Sequence, residues 1–154
     1  MNKKEIASSR SRLKNLFEKV SLYNQDYETQ SQWARYLSVL VYGYLERSIR
    51  ILLINYCEKK APPYVANYAE RNLRRFQNAK LGKIFDMMGS FSPLWVAELE
   101  RNTTEEMKAA IESVVNLRHK IAHGENVGIT YAGIKKYYQE ILKFVELIES
   151  ICDS

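Results

Sequence analysis

From Thr130 onward, Ile134, Tyr137, Tyr138, Ile141, Leu142, Val145 and Ile148 recur at steps of three and four residues. Such steps put apolar side chains on one face of an α-helix and are incompatible with the alternation of a strand. The same spacing holds near the N-terminus, where Leu13, Leu16, Phe17 and Val20 share one face of a helix expected from near Lys4 to Tyr23. No run alternates well enough to read as a strand. The chain is therefore expected to be an all-α bundle of four long helices, with short ones between the third and the fourth.

Local signals mark the ends. The polar stretch Asn24–Gln32 breaks the pattern, and a second helix follows through Trp33, Leu37, Leu40, Tyr44 and Ile51. Its apolar arc is wide, so it belongs at the centre of the bundle, and Gly43 within it could admit another backbone at close range. Pro62 and Pro63 end that helix by Ala61 and open a third, which carries Val65, Tyr68, Asn72, Leu73 and Phe76, with Arg71, Arg74 and Arg75 on its other sides. Gly82 and Gly89 bracket a short helical stretch, and Ser92-Pro93 starts another through Leu99. Thr103-Thr104-Glu105-Glu106 reads as a capping box with Thr103 as the cap. The helix behind it, Thr104 to about Ala122, stops at Gly124, and Thr130 caps the last helix.

At 154 residues this is expected to be one domain spanning 1–154. Hydrophobic residues at 46% and charged residues at 27% describe a globule and exclude a disordered tail. Two cysteines, Cys57 and Cys152, are too few for a disulfide scaffold and suit buried small hydrophobes. The uncharged run Tyr36–Leu45 is too short to span a membrane, and Asn2 to Glu5 lead into no apolar leader. A cytoplasmic protein with no membrane partner is expected. Its charge is lopsided: residues 1–77 hold 14 basic and 7 acidic side chains, residues 78–154 hold 9 and 11. The positive part favours a polyanionic partner, although a solvated helix surface would look the same.

One residue breaks the helical logic. On a wheel of the helix from Thr104, Met107, Ile111, Val114, Val115 and Ala122 form an apolar stripe, and Arg118 falls in its middle. An arginine there must snorkel outward or find a partner such as Glu46 on the second helix. Beside it lie His119 and His123, one turn apart and the only histidines in the chain. Imidazole exchanges protons readily, and guanidinium presents a fork of donors matched to phosphate oxygens. Together with a positive half they suggest handling of a phosphodiester. A histidine pair is also half a metal site, but no glutamate follows His119 and no cysteine has ligand spacing, so no metal and no cofactor is expected. No phosphate-binding glycine loop occurs, and the sequence nominates no serine triad.

Arg118-His119-Lys120-Ile121-Ala122-His123-Gly124, placed before a final amphipathic helix, resembles the RxxxxH motif of HEPN domains in its RHxxAHG form. Val114-Val115-Asn116-Leu117 and Lys80-Leu81-Gly82-Lys83-Ile84-Phe85 likewise resemble the RiboL-PSP-HEPN or closely related MAE-type branch. The resemblance implies a helical domain that acts as a homodimer with its two motifs facing one cleft. It also implies a metal-independent endoribonuclease of toxin–antitoxin or phage-defence systems, often held by an antitoxin protein. Position by position, Arg118 would be the motif arginine, His123 the motif histidine, and His119 the polar residue that follows the arginine.

Geometry agrees with a two-chain site. On a regular helix Arg118 and His123 are separated by about 7.5 Å of rise and about 140° of azimuth, so they converge poorly on one phosphate from a single helix unless its end is distorted. A two-fold axis near the helix end would bring two such pairs together. The expected reaction is cleavage of RNA by its own 2′-hydroxyl, with His123 moving protons and Arg118 offsetting phosphoryl charge. Two other functions fit the same residues: a non-catalytic RNA or nucleotide binder, and an interaction module in which Arg118 is a satisfied core ion.

Overall fold

The computed structural model describes residues 3–22 and 26–154. Among them run seven helices and no strand: α1 (Lys4–Leu22), α2 (Tyr27–Lys60), α3 (Pro63–Leu73), α4 (Leu81–Phe91), α5 (Pro93–Asn102), α6 (Glu105–Ala122) and α7 (Tyr131–Asp153). The all-α expectation holds, with α1, α2, α6 and α7 as the four long helices. The short helices lie between the second and third long ones, because the helix opened by Pro63 is only 11 residues long.

At 34 residues α2 spans roughly 50 Å. It is the central element, packed by α1, α3, α6 and α7. Leu37, Val41, Leu45, Ile49, Leu52 and Leu53 are fully shielded, so α2 buries more than one face. α7 closes the opposite wall with Ile141, Phe144, Val145 and Ile148. Truncating a fully buried aromatic such as Phe144 to alanine would cost about 3–5 kcal/mol. Cys57 and Cys152 are buried free thiols, as their apolar neighbours suggest, and burial pushes the Cys152 thiol up to about 12.

Several boundaries differ from the sequence reading. α2 begins at Tyr27, inside the stretch read as a break, because the Asp26 carboxylate accepts from the Thr29 N–H at 2.8 Å and caps it. The expected end of the first helix at Tyr23 lies outside the described residues. Thr104, not Thr103, caps α6, accepting from the Met107 N–H at 3.1 Å. The Thr103 hydroxyl is committed to the Leu99 carbonyl at the end of α5, which leaves Glu106 one position short of a capping box. α4 runs through both Gly82 and Gly89 instead of between them. Among the described residues no atom lies within 4 Å of where a Cβ on Gly43 would stand, so no other backbone makes the close approach expected there.

α3 departs most from expectation. It docks through Ala66 and Leu73, while Val65 and Tyr68 stand in solvent and Phe76 is buried in the segment that follows.

Candidate functional site

α6 and its C-cap carry the three candidate site residues Arg118, His119 and His123, and the two halves of the helix differ. Met107, Ala110, Ile111, Val114 and Val115 are buried against the bundle. Beyond Val115 the same stripe continues through Arg118 and Ala122, both exposed. The last two turns therefore project past the core.

The end of α6 is set by backbone hydrogen bonds. Gly124 takes φ 73° and donates to the Ile121 carbonyl at 3.1 Å, while Glu125 donates to the Lys120 carbonyl at 2.9 Å. This pair of bonds is a Schellman motif with glycine at its left-handed position. It fixes His123 as the C-cap, at φ −90° and ψ 9°, just outside the helix. The rings of His119 and His123 meet edge to face, centroids 4.4 Å apart. Both are exposed. Among the described residues no three His, Cys, Asp or Glu side chains gather as a metal site.

Arg118 snorkels. Its guanidinium carbon lies 5.2 Å from the centroid of the Tyr42 ring on α2, within the range of a cation–π contact. The expected partner, Glu46, is engaged elsewhere. One of its carboxylate oxygens accepts from Arg50 at 3.3 Å, and the other from the Tyr42 hydroxyl and from the Asn78 N–H at 3.1 Å. Among the described residues Arg118 has neither a hydrogen bond nor an ion pair.

The Tyr42 hydroxyl also accepts from the buried Ala79 N–H at 3.2 Å, and Arg50 donates to the Phe76 carbonyl at 3.1 Å. Tyr42 and Glu46 thus bind the loop after α3 to α2, and that loop holds Asn78 at φ 59°, a left-handed conformation asparagine tolerates. Burial first, then the neighbouring Glu46 carboxylate, pushes the Tyr42 hydroxyl up against the opposing charge of Arg118. Tyr42 therefore stays a proton donor to Glu46 while its ring face holds the arginine.

This loop and α6 enclose an open groove of about 470 Å³, lined by Asn78, Lys80, Leu81, Glu112, Val115 and His119. It is large enough for one nucleobase and its sugar. The structure thus joins His119 to His123 directly and places Arg118 on the neighbouring face. No hydrogen bond or ion pair links Arg118 to either histidine among the described residues. Sequence reasoning missed Tyr42 altogether, because nothing in a linear sequence pairs it with Arg118 across two helices. Lys80 and Leu81 were visible only as part of a family-like segment.

A family model described as RiboL-PSP-HEPN matches residues 4–154. No curated protein and no solved structure matches the chain. No helix among the described residues is long and apolar enough to cross a membrane.

Proposed function

The chain belongs to the RiboL-PSP-HEPN family, and on that premise we propose that it is a metal-independent endoribonuclease whose site is completed by a second copy of itself. The observation that carries this reading is Arg118: an exposed guanidinium with no carboxylate partner among the described residues, steadied on Tyr42 one residue from an exposed histidine pair. An interaction module would hold Arg118 in an ion pair. Here the carboxylate nearest in expectation is committed to Arg50, Tyr42 and the Asn78 backbone.

Homodimerisation is supported by the stripe of α6, which is apolar and buried as far as Val115 and then runs into solvent at Ala122. A two-fold axis there covers that stripe and brings Arg118 and His123 of both protomers to one phosphodiester. His123 of one protomer removes the proton of the ribose 2′-hydroxyl as its oxygen attacks phosphorus. His123 of the other protonates the departing 5′-oxygen as the P–O5′ bond breaks. Arg118 offsets charge on the non-bridging oxygens, and His119 orients the strand or His123. The products are a 2′,3′-cyclic phosphate and a 5′-hydroxyl. In the cytoplasm such an enzyme would act as the toxin or effector of a toxin–antitoxin or phage-defence system, restrained by an antitoxin protein.

The test is the chemistry of the product ends. Cleavage of a defined RNA should leave a cyclic phosphate and a 5′-hydroxyl, and replacing the scissile 2′-hydroxyl by hydrogen should stop it. Binding without cleavage would favour the non-catalytic binder instead.

A further inference from the structure

α3 carries a surface that no described residue of the protomer covers. Tyr64, Tyr68, Arg71 and Arg75 stand at i, i+4, i+7 and i+11, within an arc of about 60° at 100° per residue. Arg75 lies in the tight turn that continues α3, donating its N–H to the Asn72 carbonyl at 3.1 Å. This stripe is opposite Ala66 and Leu73, the residues that dock α3 on the bundle. Tyr64 is 89% exposed and Tyr68 73%. Arg74 is paired with Glu70 at 2.7 Å, but among the described residues Arg71 and Arg75 make no ion pair. No acidic side chain belongs to the stripe.

We propose that this stripe of α3 is a stacking platform for single-stranded RNA flanking the scissile bond. Exposed aromatic rings take bases of any identity on their faces, and unpaired guanidiniums beside them take the phosphates. Charge complementarity selects the occupant, because two bare arginines in the positive part of the chain disfavour a second copy of the same surface. The platform is also continuous with the candidate site. It spans about 16 Å and ends at Arg75, three residues before Asn78, which lines the groove beside His119 together with Lys80. The hydrogen bonds from Asn78 and Ala79 to Glu46 and Tyr42 hold this connection against α2. A strand leaving the Arg75 end of α3 along this connection would enter the groove that Lys80 and His119 line. The occupant, though not the surface, rests on the nuclease reading.

The test separates binding from cleavage. A fluorescein-labelled 2′-O-methyl oligouridylate 15-mer, which has no free nucleophile, is titrated by anisotropy into the full chain in EDTA. Y64A/Y68A should weaken binding at least tenfold, and Y64F/Y68F should bind within about threefold of the parent. R71Q/R75Q should weaken binding and reduce the slope of log affinity against log salt by about 1.4, from the release of two counterions on a single strand. A 15-base-pair duplex should bind more weakly than the single strand. With a trinucleotide substrate too short to reach α3, Y64A/Y68A should cleave at the parent's rate. Unchanged 15-mer affinity in Y64A/Y68A would overturn the platform, and so would equal affinity for the duplex. Loss of dimer mass in Y64A/Y68A would overturn it in favour of an interface between copies. If no chain cleaves RNA while the binding differences hold, the platform stands and the nuclease reading falls.

Discussion

The guanidinium of Arg118 rests 5.2 Å from the centre of the Tyr42 ring, and this contact couples α6 to α2 at the point where α6 leaves the core. The ring serves Arg118 and the hydroxyl serves the loop, so the two functions of Tyr42 can be separated. Tyr42→Phe keeps the ring face but strips the buried Ala79 N–H of its acceptor. It should destabilise the fold by about 1–3 kcal/mol while leaving kcat within a few-fold. Tyr42→Leu removes the ring as well and should lower kcat further, by the ~0.5–1 kcal/mol of an exposed cation–π contact. Chemical denaturation and cleavage kinetics of both variants measure the split. Equal kcat in the two would show that the ring does not position Arg118.

Arg118→Lys retains the charge and loses the planar fork. Since the side chain is exposed and makes no ion pair among the described residues, the fold should be unaffected, with unchanged circular dichroism. Cleavage should fall by an order of magnitude or more. Full activity in this variant would assign Arg118 a role in which guanidinium geometry is irrelevant.

Gly124 is the hinge of the His123 geometry. A Cβ there meets no neighbour within 4 Å among the described residues, so Gly124→Ala is opposed by its φ of 73°. The left-handed conformation should cost about 1–2 kcal/mol in stability. Relief of that strain would break the bonds from Gly124 and Glu125 to α6 and turn His123 out of place, so kcat should fall with little change in RNA affinity. A loss of affinity with kcat preserved would contradict this.

The alkaline limit of stability has an identifiable contributor. Burial raises the Cys152 thiol from 9.0 to about 12, so the folded chain holds this proton more tightly than the unfolded one. The stabilisation is complete below pH 9.0 and is lost as pH rises toward 12, by on the order of 1 kcal/mol per pH unit. Cys152→Ala should therefore lose less stability than the parent between pH 9 and 11, as urea denaturation at several pH values would read. The same burial should protect the native thiol from alkylation.

What could be read from the sequence was what depends on neighbours along one helix. The periodicities that define α1 and α7, the glycine that ends α6 and the one-turn spacing of His119 and His123 are local, and each is found in place. The sequence misleads where local signals compete or where a partner is remote. Thr103 and Thr104 are both competent caps, and the choice was made by the Leu99 carbonyl of the preceding helix. Arg118 is anomalous in the sequence itself, but its partner depends on how α2 crosses α6, and Glu46 is taken by Arg50 from its own helix. On α3 the expected apolar face is partly the wrong one, because small Ala66 allows close docking and leaves Tyr68 outside.

The central claim is that Arg118 and His123 cut RNA without a metal ion, and the most direct test is a cleavage assay of end-labelled RNA in excess EDTA. The parent chain should produce discrete fragments with a bell-shaped dependence of rate on pH, because one imidazole must be neutral while the other is protonated. His123→Ala should bind the same RNA and leave it intact. Cleavage by the purified His123→Ala homodimer at the parent's rate, or cleavage by the parent that EDTA abolishes, would contradict the account.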